Sequence, residues 1–411
     1  MSRILAYTSP ARGHLFPVTP ILDELHRRGH EVLLRTLSSQ VETMRSRGIE
    51  AGPIAPGIEA IEHDDWRARS PLGAVKRSVR TLCARAELDA ADLRRAIDAE
   101  RPDALLVDIA SWGALAVAEA WEGPWASFCP FPLPLPSHDA PPYGPGLPPA
   151  QGQLGRLRDR LLRPLLDDTL GRAIGTRLDA VRGSLGLGPL KHAEEMLMAP
   201  PLLLYMTAEP FEYPHADWPA SVVMVGPCAW DPPGELPREL SGIDAPLILV
   251  TTSSEFQNDG RLVGVALEAL AEEPVHVVAT LPTASTRGLR VPANASVLEF
   301  APHAPILARC ACAITHGGMG ATQKALAAGV PVCAVPFGRD QLEVARRVAV
   351  AGAGTQLPVW RLRPERLQAK VRKAISLREG AERVAQGFAA AGGAAAAADA
   401  FERRLLATGA D

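Results

Sequence analysis

The chain has 411 residues, 47% hydrophobic and 22% charged, a soluble globular composition long enough for two or three domains of ordinary size. A formal net charge of −3 gives nucleic acid or an anionic membrane surface nothing to attract, and no apolar run approaches the roughly 20 residues of a membrane span. The six cysteines (Cys83, Cys129, Cys228, Cys310, Cys312, Cys333) form no C-x-x-C pair. They therefore point to neither a zinc site nor a disulfide framework and suit a reduced cytoplasm.

"RILAYT" (3–8) reads as a first strand rather than a signal peptide, and "SPARG" as the loop after it. Helical spacing follows at Leu15, Val18, Ile21, Leu22 and Leu25, with Gly29 as the stop. "EVLLRT" (31–36) is the next strand, which completes a strand–helix–strand unit and predicts a parallel sheet. Residues 74–99 read as a charged helix, "ALLVDI" (104–109) as a buried strand, and "ALAVAEAW" as a helix. Nine prolines then fall between residues 130 and 149, which excludes helix and central strand and predicts a long ordered loop or flap. Helix resumes over 154–182. Residues 226–245, polar and rich in Pro and Gly, read as an interdomain linker between an N-terminal domain (1–225) and a C-terminal one (246–385). A second strand–helix alternation begins at "LILVTT". The Ala-rich tail, 386–411, reads as a C-terminal helix that packs back on the N-terminal domain, with a break at Gly392–Gly393.

"CAITHGGMGATQKALAAG" places His316, Gly317 and Gly318 on a strand-to-helix turn. The first N–H groups of a helix lack internal partners and carry partial positive charge, so such a turn is a ready anion site. On its own the triplet is equally a tight turn. The longer stretch "HGGMGATQKALAAGVPVCAVPFGRDQ" (316–341) resembles the signature of the family 1 nucleotide-sugar glycosyltransferases, which have the GT-B fold. The resemblance implies two facing, doubly wound α/β domains with a cleft between them. It implies that His316, Gly317, Gly318, Gly320 and Thr322 hold the donor diphosphate without a metal, and that Asp340 and Gln341 contact sugar hydroxyls. "FAPHAPIL" (300–307) looks like the family's base-binding loop, with Phe300 stacked on the base and His303 beside it. Ser253 or Ser254, after the first strand of the second half, is a phosphate ligand or a turn cap.

"ARGHLFP" resembles the family's Gly-His-x-x-Pro, in which the His is the catalytic base, and "LLVDIASW" places its Asp partner. These are His14 and Asp108. At a helix start the charged imidazole is disfavoured, so the expected His14 pKa is depressed. Trp66, Trp112, Phe128 and Phe131 are the candidate acceptor contacts, with residues 56–80 and the proline-rich segment at the rim. The implied reaction is inverting transfer of a (deoxy)sugar to a hydroxyl of a small lipophilic natural product, as in the bacterial branch of the family, with no cofactor. One departure bears on the donor. Many members carry a Glu that bonds the ribose hydroxyls where this chain has Lys324. Lysine only donates, so dTDP, which lacks the 2′-hydroxyl, is expected over UDP.

Other readings remain. A GT-B epimerase shares the fold but needs no lipophilic acceptor loop. A nicotinamide oxidoreductase wants G-x-G-x-x-G after the first strand and an acid closing the second, and "SPARGH" and "LLRTLSS" supply neither. A sugar-nucleotide-binding helper has no use for the His14–Asp108 pair. Monomer and homodimer are both open.

Overall fold

A computed structural model describes all residues except 69, 232–233, 283–287 and 408–411. Two residues of the expected linker, 232–233, and the last four of the expected C-terminal helix therefore lie outside the described residues. The described chain forms two parallel sheets. The first has the order β3-β2-β1-β4-β5-β6-β7, with β1 Arg3–Tyr7, β2 Glu31–Thr36, β3 Glu50–Pro53, β4 Ala104–Asp108, β5 Trp125–Cys129, β6 Leu203–Tyr205 and β7 Val222–Met224. The second has the order β10-β9-β8-β11-β12-β13, with β8 Leu247–Thr251, β9 His276–Thr280, β10 Ala295–Leu298, β11 Cys310–Thr315, β12 Val332–Ala334 and β13 Gly354–Gln356. The core of each is the doubly wound order, in which the chain reverses direction beside its first strand and leaves a crevice at the strands' carboxyl ends.

Both sheets are covered on both faces, so their central strands are apolar throughout. In β1, Leu5 and Tyr7 join one core layer while Ile4 and Ala6 join the other. In β8, Leu247 and Leu249 face one layer and Ile248 and Val250 the other. The helix Arg12–Arg27 lays Leu15, Val18, Ile21, Leu22 and Leu25 on the same layer as Ile4 and Ala6, the face its spacing predicts.

Three stretches differ from expectation. The start of the 226–245 segment is no free linker: Cys228 and Trp230 are buried in the N-terminal core, while Leu240, on the short helix Arg238–Ser241, enters the C-terminal one. The tail crosses back at residue 392, later than the expected 386. The helix Arg378–Ala390 still packs Ala381, Val384 and Phe388 into the C-terminal core. Gly392 and Gly393 then turn the chain with φ of 86° and 59°. After them the helix Gly393–Phe401 buries Ala397, Ala398, Ala400 and Phe401 in the N-terminal core. The short β3 and β6 fall in stretches where the sequence reading assigned no element. Among the described residues no helix is long and apolar enough to cross a membrane.

Candidate active site

The crevices of the two sheets face each other and enclose one cavity of 1520 Å³. Its N-terminal wall is built at the β1/β4 switch. The loop after β1 feeds the helix Arg12–Arg27, whose first turn carries His14. Pleat alternation puts Asp108, two residues after Leu106, on the face that this helix covers. His14 Nδ1 consequently lies 3.0 and 2.9 Å from the two Asp108 oxygens. Asp108 is fully buried and also accepts the backbone N–H groups of Ser9 and Ala110, each at 2.9 Å. Burial alone would raise its pKa, but His14 and these donors hold it below the ordinary value. As an ionised acceptor it makes Nδ1 the proton-bearing nitrogen of His14 and leaves Nε2 as the basic one.

The expected depression of the His14 pKa is corrected here. Burial does push it down, and is the largest single influence. The Asp108 charge and hydrogen bond, with Glu255 and Asp340 nearby, outweigh it, and the net shift is upward from 6.5.

The opposite wall lies at the β8/β11 switch. β11 ends in Thr315, and the helix Met319–Ala327 begins three residues after His316. Gly318, Met319, Gly320 and Ala321 line the cavity with His316. They bring the helix's first N–H groups, which have no intrahelical partner, to the surface of the cleft. The His316 ring is buried, and burial holds its pKa below the usual value. A neutral imidazole beside a helix start fits a phosphate oxygen in reach of both.

The C-terminal part, residues 265–401, matches the family model "Erythromycin biosynthesis protein CIII-like, C-terminal domain". Over nearly its whole length the chain is 32% identical to 4′-demethylrebeccamycin synthase of Lentzea aerocolonigenes (390 residues, 91% of this chain and 92% of the relative). The chain belongs to the GT-B nucleotide-sugar glycosyltransferases. Among the solved structures that share its fold are two glycosyltransferases. The glycosyltransferase of kitacinnamycin has a TM-score of 0.75 at 23% identity over 98% of this chain and 99% of that one. VinC, solved in complex with dTDP, has a TM-score of 0.69 at 21% identity over 98% and 100%.

In this glycosyltransferase most of the residues singled out from sequence line the cavity with His14, and four do not: Asp108, fully buried behind His14, and Phe128, Thr322 and Gly317. Ser253, Ser254, Phe300, His303, His316, Gly318, Gly320, Asp340, Gln341, Trp66, Trp112 and Phe131 are at its wall. Phe128 is not: in β5 it points to the same side as Ala126, fully buried in the core, and so cannot meet an acceptor. Thr322 is likewise fully buried, its hydroxyl 3.2 Å from that of Thr315. Gly317 lies behind the wall; its φ of 86° and a gap of only 3.1 Å from an added Cβ to Gln341 make it the turn's glycine rather than a ligand contact.

Some lining residues are already engaged. Ser253 Oγ accepts from Glu255 N and from the Gln257 amide, so it braces its own loop, while Ser254 lies at the wall. Gln341 Oε1 accepts from Phe337 N and Gly338 N at 2.7 and 3.0 Å, and its amide nitrogen donates to Gln257, leaving one amide hydrogen for a ligand. His303 rests its Nε2 on Thr280 Oγ1 at 3.1 Å; burial and the nearby Lys324 charge push its pKa down to about 4. Phe300 is 61% exposed, with its ring open for stacking. Asp340 lines the cavity, and burial raises its pKa. Phe131 stands 5.4 Å from the His14 ring.

Sequence reasoning missed four groups here. Lys324 Nζ pairs with Asp231 of the interdomain segment, which also accepts from Ala304 N at 3.2 Å. Asp65, Glu255 and Arg339 form a charged cluster across the cleft. Arg339 stands inside the quoted motif, next to Asp340, and its place there was the one available signal. Among the described residues no three His, Cys, Asp or Glu side chains are grouped to hold a metal ion.

Proposed function

We propose that this glycosyltransferase moves a (deoxy)sugar from a dTDP donor to a hydroxyl of a small lipophilic natural product, with inversion and without a metal. One observation carries the reading: a His–Asp pair and a helix start beside the buried His316 ring face each other across one cavity. The first can remove a proton and the second can hold a leaving diphosphate.

His14 Nε2 takes the acceptor hydroxyl's proton as the oxygen attacks the anomeric carbon. Asp108 fixes the ring by Nδ1 and stabilises the imidazolium that forms. The bond from the anomeric carbon to the diphosphate oxygen breaks on the opposite side, so configuration inverts. The growing charge meets the N–H groups at Gly318–Ala321 and the His316 ring, which supply positive potential where other enzymes use a cation. Asp340 and the free Gln341 N–H suit sugar hydroxyls, and Phe300 suits a flat base.

Support for dTDP comes from Lys324, which cannot accept from a 2′-hydroxyl, and from VinC, crystallised with dTDP. Support for a lipophilic natural-product acceptor comes from the apolar wall of Ile174, Met196, Leu197, Leu82 and Val79 around Trp66, Trp112 and Phe131, and from a relative named for rebeccamycin. The test is mass spectrometry of acceptor panels incubated with dTDP- and UDP-sugars, with and without EDTA. Glycosylated product from dTDP donors, undiminished by EDTA, is expected. Product only from UDP donors, or turnover that needs added Mg²⁺, contradicts the donor or the metal reading respectively. Nucleotide binding with no product from any pair contradicts catalysis.

A further inference from the structure

Two consecutive residues of the N-terminal half, Asp65 and Trp66, are joined to two consecutive residues of the C-terminal half, Glu255 and Phe256: the carboxylates through Arg339 and the rings directly. Arg339 Nε and Nη2 donate to the two Asp65 oxygens at 3.0 and 3.1 Å. Its Nη1 donates to Glu255 Oε2 at 2.7 Å. Beside this fork the rings of Trp66 and Phe256 meet edge to face, with centroids 5.0 Å apart and planes at 82°. One guanidinium thus joins the acceptor-side rim, through Asp65, to the loop after β8 that carries Ser253 and Ser254.

Two features mark the contact as more than a surface ion pair. Arg339 has φ of 53°, the left-handed region where glycine is the ordinary occupant, so a backbone cost is borne to keep this side chain. Asp65 is only 4% exposed, and a buried carboxylate depends on its partner. Nearby, burial and the charges of Arg339 and Arg85 push the His63 pKa down to about 4, which leaves Asp65 and Glu255 to Arg339.

We propose that Arg339 is a positioning residue that clasps the acceptor wall to the loop after β8 of the C-terminal half, so that the acceptor pocket takes its shape against that loop. The inference rests on the glycosyl-transfer reading above. Arg339 acts through Asp65 and Glu255, so breaking the clasp impairs acceptor binding and spares the nucleotide.

The experiment compares wild type with Arg339→Gln, Arg339→Lys, Asp65→Asn and the double variant Asp65→Asn/Arg339→Gln. Acceptor KM and kcat are measured at saturating donor, dTDP affinity by calorimetry, and the radius of gyration of the nucleotide-free enzyme by small-angle scattering. Arg339→Gln and Asp65→Asn should each raise acceptor KM about tenfold, as for one lost coupled contact. kcat should stay within about threefold and dTDP affinity within about twofold, which also certifies folding. Arg339→Lys keeps the charge but not the planar fork and should behave as the Gln variant, and the double variant should be no worse than either single one. The radius should grow in Asp65→Asn. Weakened dTDP binding in Arg339→Gln with a wild-type acceptor KM in Asp65→Asn makes Arg339 a phosphate ligand and overturns the clasp. An unchanged radius and an unchanged KM in Asp65→Asn overturn it as well. A wild type that transfers no sugar, while Asp65→Asn still expands, sinks the function and leaves the clasp.

Discussion

His14 carries opposed demands, since it must be neutral to accept a proton and yet sits beside an ionised Asp108. The outcome is a raised pKa, and the sign follows directly. On the proposed mechanism the working base is the neutral ring, so kcat/KM should rise with pH through a pKa above 6.5. In Asp108→Asn the restraining charge is gone, and the acid limb should move to lower pH while the rate falls roughly 10²–10⁴-fold. The same shift makes the ion pair a stabilising contact that is fully present below 6.5 and lost as pH rises through the folded pKa. His14→Ala should abolish transfer and leave dTDP binding intact; wild-type rates in either variant, read by product formation, contradict the assignment. Lys324 gives a second residue-scale outcome. Its replacement by Glu should restore an acceptor for the ribose, and an unmet buried hydroxyl costs ~1–3 kcal/mol, so UDP should gain about tenfold or more on dTDP in competitive titration. Equal gains for both nucleotides contradict the ribose argument. At this scale most of the motif from His316 to Gln341 does fall at the cavity, as His316, Gly318, Gly320, Asp340 and Gln341 show. Asp65, Glu255 and Arg339 escaped because Arg339 meets Asp65 across the two halves, 274 residues apart, and Glu255 84 residues away within its own half, and no local pattern joins them. Phe128 was misassigned because an aromatic at a strand end looks the same whichever face it takes.

The proline-rich segment, 130–149, shows how an element can be ordered without a ladder. Its prolines remove the N–H groups that a sheet needs, and side chains from elsewhere hold it instead. Glu343 accepts from Gly144 N and Gly146 N at 2.8 and 2.9 Å, and Arg346 Nε donates to Gly146 O at 2.7 Å. Arg163 donates to the carbonyls of Ser137 and Ala140. Both residues that grip the glycines come from the helix Gln341–Val350, which begins beside Asp340. Glu343→Ala should leave two backbone donors and Arg347 short of an acceptor, lowering stability by about 1–3 kcal/mol in urea unfolding and raising acceptor KM, because Phe131, Tyr143 and Pro145 of this segment line the cavity. Unchanged acceptor kinetics in a destabilised protein would confine Glu343 to folding. Elements of this kind divide the legible from the illegible. β1, β4 and β8 are continuous apolar runs between turn signals and were plain. β3, "EAGP", is half exposed at a sheet edge, and three-residue strands such as β6 owe their existence to a neighbour rather than to any propensity of their own.

At the scale of the whole molecule, the halves exchange material. The tail helix Gly393–Phe401 completes the N-terminal core, and Arg28 pins it with ion pairs to Asp399 and Glu402 at 2.6 Å each. Phe401 is fully buried, so Phe401→Ala should cost about 3–5 kcal/mol. In a two-domain chain that loss appears as an earlier transition of the N-terminal half, while dTDP still protects the other half by mass action. A single unshifted transition contradicts this division. The two crossings between the halves are adjacent: Gly393 N donates to Val225 O at 2.7 Å, and an atom added to Gly226 would lie 3.0 Å from Phe388 O. Two tethers side by side act like the pins of a door. They resist relative twisting and sliding and leave rotation about one line as the soft motion, so the mouth should swing while the edge near residues 225 and 393 stays still. Both substrates meeting at that cleft would then depend on the same swing, so the order in which they arrive and leave should follow from that geometry as much as from affinity.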